Sequence, residues 1–325
     1  MRSDGQIGFV LLSHREPAQL LRLTRTLTAL YGGAPIVCHH DMAQAPLDKH
    51  LFGQTVRFVE DWLHTSWAHW SVVTATLRAI RTLYEVSNPD HFVVLSGADY
   101  PIAPAEKVVA DLRSSGADAF IDGYSLQVAL RGRVPEGERN LAPFRTAHNF
   151  YQAQLRYTRA QLKIPRIRRR AGSQGGYRVG ASTITLPFDD PRAPFRSGFH
   201  CFVGSQWFCG SRRAAKRLLA PTSHDEALRR HYRFRMFPEE SYFQTVLCND
   251  PDMAIDSRTF RYIDWREDKA THPKELGMAD LPAMLSSGQH FARKFVHGDP
   301  VLDALDEQLG VRARGLVALV NALEP

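Results

Sequence analysis

The sequence is poor in cysteine and has no long apolar run, and both shortages narrow what the chain can be. Four cysteines, Cys38, Cys201, Cys209 and Cys248, are scattered over 325 residues and form no CxxC pair. So few in so long a chain argues against a disulfide framework and points to free thiols in a reducing compartment, here the cytoplasm. Residues 1–6 are polar, and the apolar run behind them, 7–12, is too short for the hydrophobic region of a secretory signal. No stretch approaches the roughly 20 apolar residues that span a bilayer. The expectation is a soluble chain, at most peripheral at the inner face of a membrane. The phosphate loops GxxxxGK[ST] and GxGxxG are absent, and GGYRVG has the wrong spacing and no strand before it. Neither HExxH nor HxxxH occurs among the 14 histidines, so no zinc pair at helical spacing exists. No GxSxG elbow marks a serine nucleophile, and no Cys/His pair marks a thiol one.

What is present is positive charge. Lysine and arginine outnumber aspartate and glutamate by 41 to 34, giving +7 and a pI near 9.4. Such an excess favours an anionic partner: nucleic acid, a phosphate-bearing ligand or an acidic lipid surface. The densest basic run, KIPRIRRR (163–170), lacks interleaved aromatics and fits no nucleic-acid-binding motif, so nucleic acid is not expected as a partner. A solvated loop, or contact with anionic lipid headgroups, suits it better. Followed by AGSQGGYRVGAS, the stretch 158–180 is expected to be a mobile loop or an excursion from the fold.

The first 125 residues alternate strand and helix signals. IGFVLLS (7–13) is a continuous apolar run, as in a strand buried on both faces. A helix over 17–31 opens on Pro17; strands follow at 34–41 and 56–61; a strongly amphipathic helix covers 70–86. HFVVLSGADYPI (91–102) predicts a fourth strand, 104–114 a helix and 117–123 a fifth strand. This rhythm predicts an α/β fold with an open, mostly parallel sheet covered by helices on both faces. Ligands of such sheets sit outside the carboxyl ends of the strands, here Ser13-His14, His39-His40-Asp41, Glu60-Asp61 and Ser96 to Asp99. After residue 125 the rhythm breaks. A helix is expected over 238–249, a strand over 260–265, and helices near 212–220, 278–287 and 300–309. The halves 1–125 and 126–325 are expected to form one continuous domain, the first binding nucleotide and the second carrying acceptor and catalytic groups.

Three polar groups stand out, each with a plain structural alternative. His39-His40-Asp41 could ligate a metal, but polar strand ends facing a cleft explain it as well. Glu239-Glu240 opens a helix, where two acids also simply complement the helix dipole. LSGADYP is equally a tight turn at a strand end, and its single Asp99 lacks the second acid of a DxD metal pair.

Taken in order, IGFVLLSHREP, IVCHHD, WSVVTATLRAI, LSGADYPI, GSQWF, PEESYFQTVLCN, RYIDW and FARKF resemble the core-2/I-branching β-1,6-N-acetylglucosaminyltransferase family, which also contains peptide O-xylosyltransferases. The segments run from residue 7 to 295; LSGADYP, GSQWF and FARKF are the most specific. The chain is most similar to the compact bacterial members, since the animal members' anchor and disulfides have no counterpart here. The resemblance implies a GT-A type fold, a UDP-sugar donor, inversion at the anomeric carbon and no metal cofactor. It implies that Glu240 is the general base, with Glu239 beside it, and that Lys294 neutralises the leaving diphosphate. The family's second basic position falls on Thr271, a departure; His272, Lys274 or the neighbouring Arg293 are candidates to replace it. The nucleoside is expected near His14, His40 and the loop after Val59. Asp99 and Tyr100 are expected to approach donor sugar or acceptor, Ser205, Gln206 and Trp207 to floor the sugar site, and Trp265 to pack on the acceptor. The expected donor is UDP-GlcNAc, with UDP-xylose as the alternative, and the acceptor a saccharide or lipid-linked saccharide. A catalytically silent glycan-binding protein is the rival reading; Glu240 and Lys294 together argue against it.

Overall fold

A computed structural model describes residues 7–126, 147–169, 177–265 and 272–311. Strand β1 (Ile7–Ser13) lies inside a seven-stranded sheet between β4 (His91–Ser96) and β2 (Ile36–His40). The full order is β12 (Ile255–Asp256), β6 (Ala119–Phe120), β11 (Cys209–Ser211), β4, β1, β2 and β3 (Val56–Phe58). All pairings are parallel except those of β11, which runs antiparallel between β4 and β6. Strands from both sides of residue 125 therefore share one sheet.

The continuous apolar run of β1 has a direct cause. Phe9 and Leu11 enter one core with Leu20, Leu23 and Leu27 of helix α1 (Pro17–Leu30). Val10, between them, enters a second core with Val73, Ile80 and Leu83 of helix α2 (Trp70–Val86). Alternate residues of β4 and β2 divide in the same way. Each strand thus needs apolar side chains at both parities, as a sheet covered on both faces requires. Helix α3 (Ala105–Ser114) adds Val108 and Leu112 to the first core, and α5 (Arg212–Leu219) adds Ala214 and Leu218 to the second.

Three expectations give way. The strand expected over 91–102 breaks into β4 and a separate β5 (Asp99–Pro101), because Asp99 turns back and accepts hydrogen bonds from the Ser96 N–H (3.0 Å) and hydroxyl (2.6 Å). Strand β5 joins a small second sheet with β14 (Phe291–Arg293) and β13 (Arg261–Ile263), Arg293 lying opposite Asp99. The expected mobile loop over 158–180 is instead two long antiparallel strands, β8 (Arg159–Arg169) and β9 (Tyr177–Asp189), while 170–176 lies outside the described residues. The expected helix over 238–249 divides into a 3₁₀ turn (Pro238–Glu240) and helix α7 (Tyr242–Cys248), since Ser241 leaves helical geometry. Helices α4 (Ala147–Tyr157) and α6 (Ser223–Tyr232) were not legible as periodic patterns; α8 (Leu281–Ser286) and α9 (Pro300–Gln308) fall where expected.

Candidate active site

Parallel register sets Ser13 opposite His40 and Leu12 opposite Ser96, so the carboxyl ends of β1, β2 and β4 form one rim. Along it His40 is buried, with Nε2 2.6 Å from the Ala45 carbonyl and Nδ1 3.2 Å from the Ser13 hydroxyl. Burial lowers its proton affinity, and these partners suit a neutral ring that donates from Nε2. His14 follows β1 and is exposed. Asp41 accepts from the backbone of Ala43 and Thr65, the Thr65 hydroxyl and Gln44, which hold its carboxyl down to about 2 against the opposing effect of burial. The residues behind β2 are thereby tied to those ahead of α2, and the His39-His40-Asp41 cluster is occupied with holding loops. No group of three or more His, Cys, Asp or Glu side chains among the described residues could hold a metal ion.

Glu240 is presented by a strained turn. Phe237, just before Pro238, has left-handed backbone angles (φ 54°), and its N–H donates to the carbonyl of Ala68, itself at φ 62°. Such conformations cost non-glycine residues about 1–3 kcal/mol each and persist only where packing over-determines them. Here the Tyr157 hydroxyl donates to the Phe237 carbonyl (2.6 Å), the Arg156 guanidinium lies 4.4 Å over the Phe237 ring, and Trp67 meets that ring edge-on at 4.8 Å. Arg156 Nη1 also stands 3.6 Å from Glu240 Oε2. Burial pushes the Glu240 carboxyl up to about 7, with Arg156 opposing. Its side chain keeps 26% of its surface exposed, so it can meet a ligand. Glu239 cannot: it is 3% exposed, its Oε2 has no hydrogen-bond partner among the described residues, and burial followed by the charge of Glu240 pushes it up to about 8. In place of the expected acceptor contact, Glu239 is a buried neighbour of Glu240 whose carboxyl is pushed toward the neutral form.

The backbone joins this turn to the GSQWF loop. Gly204 N–H donates to the Glu240 carbonyl (2.9 Å), and Ser205 N–H to Asp122 Oδ1 (2.7 Å). A Cβ on Gly204 would sit 1.9 Å from the Asp122 carbonyl oxygen, so only glycine fits. Ser205 is buried, its hydroxyl accepting from Trp207 N–H and its carbonyl from Gln244, while Gln206 is half-buried. Trp207 is mostly buried and lies 4.3 Å beneath the guanidinium of Arg293, whose Nε is 3.4 Å from Asp99 Oδ1. Arg293 therefore points into the site rather than away from it.

Lys294 follows directly. Its carbonyl accepts from Leu276 N–H (2.9 Å), and Lys274 N–H donates to the Asp264 carbonyl (2.9 Å), so Lys274, Lys294 and the segment leading to Trp265 lie side by side. Lys294 Nζ is 3.2 Å from the exposed carboxylate of Glu275, whereas Lys274 Nζ reaches both oxygens of buried Asp280 at 2.6 and 2.7 Å. A pair with an exposed partner is worth at most about 1 kcal/mol. Lys294 is thus the cation most readily released to a ligand, and Lys274 a fixed one. Trp265 is half-buried, its indole N–H enclosed without a hydrogen-bond partner among the described residues. Thr271 lies outside the described residues, and His272 stands exposed 6.1 Å from the Trp67 ring.

With that geometry in place, comparison with known proteins settles the family. The Core-2/I-Branching enzyme family matches residues 40–285, about three quarters of the chain. The chain belongs to the core-2/I-branching family of glycosyltransferases. Beta-glucuronosyltransferases GlcAT14A and GlcAT14B of Arabidopsis thaliana are each 30% identical to it, over 129 and 124 residues. These alignments cover 39% and 37% of this chain and 29% of each relative, so the chain spans less than a third of the curated relatives it matches. The crystal structure of HddC from Yersinia pseudotuberculosis covers 67% of this chain and 80% of its own at 12% identity, with a TM-score of 0.29. The α/β assignment rests on the sheet itself.

Against this family frame one expectation is corrected outright. Tyr100 of the core-2/I-branching chain does not face a ligand: it is fully buried, its hydroxyl bonded to Thr26 (2.7 Å) and Asp306 (2.6 Å) and approached by Arg22. It fastens α9 to α1. Asp99 is also fully buried, 3.4 Å from Arg293 Nε. The sequence contains one Asp-x-Asp, Asp250 to Asp252, but it lies past the end of α7 away from Glu240, with Asp250 held by Arg217 at 2.8 Å. Arg156 and Asp122 escaped notice because no local motif contains them, and Trp67 could be read equally as core or as site; only the fold brings Arg156 and Trp67 beside Phe237.

Proposed function

We propose that this family member is an inverting, metal-independent glycosyltransferase of GT-A type that moves N-acetylglucosamine from UDP-GlcNAc to a saccharide or lipid-linked saccharide. The observation that carries this reading is the short path from Glu240, through Gly204 to Trp207, to Arg293 and Lys294. Glu240, with a proton affinity near neutrality, takes the acceptor hydroxyl proton as that oxygen attacks C1 of the donor sugar; the C1–O bond to UDP breaks and configuration inverts. Negative charge then grows on the departing diphosphate. Lys294, Lys274 and Arg293 are the fixed cations offered to it in a partly desolvated site. Arg293 is held on Trp207 by Asp99, so its position is set before ligand arrives. The half-buried Trp265 supplies an aromatic face for the acceptor sugar.

The test is Glu240→Gln. It should bind UDP as the parent does and lose turnover by on the order of 10²–10⁴-fold, the contribution of general base catalysis; unaltered turnover would remove Glu240 from the mechanism. Activity should also persist in excess EDTA, and its collapse there would refute the fixed-cation role. A second donor is favoured by the names of the Arabidopsis relatives, which transfer glucuronic acid. A thermal-shift panel of UDP-GlcNAc, UDP-glucuronic acid, UDP-xylose and a GDP-sugar ranks them, because binding to the folded state raises apparent stability.

A further inference from the structure

The hairpin of β8 and β9 has an outer surface that this chemistry does not use. Its two strands pair with no other strand among the described residues. Leu162 stands opposite Ile184 in the register, with Ile164 two residues further along the same face. These side chains are 53%, 47% and 46% exposed, and Phe188 near the root is 54% exposed. A cross-strand aliphatic pair normally packs against something. On the opposite face of β8, Lys163 Nζ lies 5.4 Å over the ring of the exposed Phe234, and Met236 is exposed as well. Beyond the root, where Arg159 pairs with Asp189 (3.1 Å), charge on the hairpin is of one sign. Residues 160–169 and 177–188 contain Lys163, Arg166, Arg168, Arg169 and Arg178 and no acid, and the register sets Arg168 opposite Arg178 toward the hairpin's outer end.

Aliphatic surface flanked by positive charge, without acids, is what an anionic bilayer surface takes: apolar side chains enter the headgroup–acyl boundary and basic ones meet acidic headgroups. Leu162, Ile164 and Ile184 offer no stacking to a nucleotide, and of the exposed aromatics Phe188 stands at the root of the hairpin and Phe234 outside it. We propose that the β8–β9 hairpin docks this protein on anionic membranes. Its root is fixed to the catalytic turn. Arg235 donates to the Arg159 carbonyl (2.8 Å) and pairs with buried Asp190 (2.7 Å), while Tyr157, two residues before β8, bonds the Phe237 carbonyl. Docking would therefore orient Glu240 relative to the lipid surface; that consequence, unlike the docking itself, rests on the proposed transferase activity and favours an acceptor carried on a lipid.

The experiment is cosedimentation of the full chain with vesicles of phosphatidylcholine alone or mixed with phosphatidylglycerol. Binding is expected only to the mixed vesicles and should weaken as salt rises. Replacing Lys163 and Arg168 by Gln should weaken it on the order of 20- to 30-fold, from about fivefold per basic residue. Leu162→Ser with Ile184→Ser should lower it as well, with the UDP-induced thermal shift retained in both variants as the check on folding. Absence of binding to the mixed vesicles, equal binding to neutral ones, or binding indifferent to both variants would overturn the proposal. So would a dimer that dissociates in the Leu162/Ile184 variant, or RNA or DNA affinity lost with Lys163 and Arg168. Vesicle binding needs no sugar nucleotide, so its failure is distinct from failure of Glu240→Gln.

Discussion

At the scale of single residues, the chemistry depends on the proton affinity of one carboxyl. A base with its carboxyl near 7 is half-ionised at neutral pH, so turnover should rise with pH and reach half its maximum near that value. Arg156, 3.6 Å away, pulls the value down. Arg156→Gln should therefore move the rising limb to higher pH, with up to about tenfold lost at neutral pH per unit moved, and leave UDP affinity unchanged. A limb that stays in place would show that Arg156 serves only to hold Phe237. Glu239 makes a separate prediction about stability. Its folded value, about 8, lies above its ordinary 4.5, so the stability it confers is complete below about 4.5 and is lost as pH rises through 8. Glu239→Gln should flatten that fall, as read from melting temperatures across the range.

Elements position these residues through backbone contacts. The 3₁₀ turn (Pro238–Glu240) is separate from α7, strained at Phe237, and joined to the GSQWF loop by the Gly204–Glu240 hydrogen bond. Gly204→Ala brings a methyl group within 1.9 Å of the Asp122 carbonyl oxygen, too close without backbone movement. Overpacking of this kind typically costs about 1–3 kcal/mol. The variant should melt earlier and lose turnover more than donor binding, because Glu240 moves with Gly204. A variant with parental melting and activity would mean that the loop accommodates the methyl group freely.

Over the whole molecule, two cores on opposite faces of one sheet hold the rim, and the hairpin is fastened to it by a buried ion pair. Arg235 and Asp190 are both buried, so Asp190→Asn leaves a guanidinium with uncompensated charge. Removing one partner of such a pair destabilises by about 3–5 kcal/mol. Urea unfolding should show that loss, together with weakened membrane docking if the hairpin root loosens. A change below 1 kcal/mol would mean that the backbone carbonyls of Arg156 and Arg159 alone satisfy Arg235.

Local sequence determined the strands and helices of the first half. The run 7–13 and the amphipathic helix 70–86 appear with those bounds, because a strand covered on both faces must be apolar at every position and a helix covering it must be apolar along one stripe. The acid pair at 239–240 and the basic FARKF segment were likewise visible as strings. The sequence could not say which acid is reachable. Pro238 and the left-handed Phe237 expose Glu240 and bury Glu239, a distinction made by packing from Arg156, Tyr157 and Trp67. Nor could it tell that Tyr100 belongs to the core, since its partners Thr26 and Asp306 lie 74 and 206 residues away. The hairpin was hidden for the opposite reason. Leu162, Lys163, Ile164 and Thr183 to Thr185 are exposed whichever face they belong to, so this part of the strands carries no burial-driven alternation, and only cross-strand pairing turned a basic, glycine-rich stretch into a structured arm.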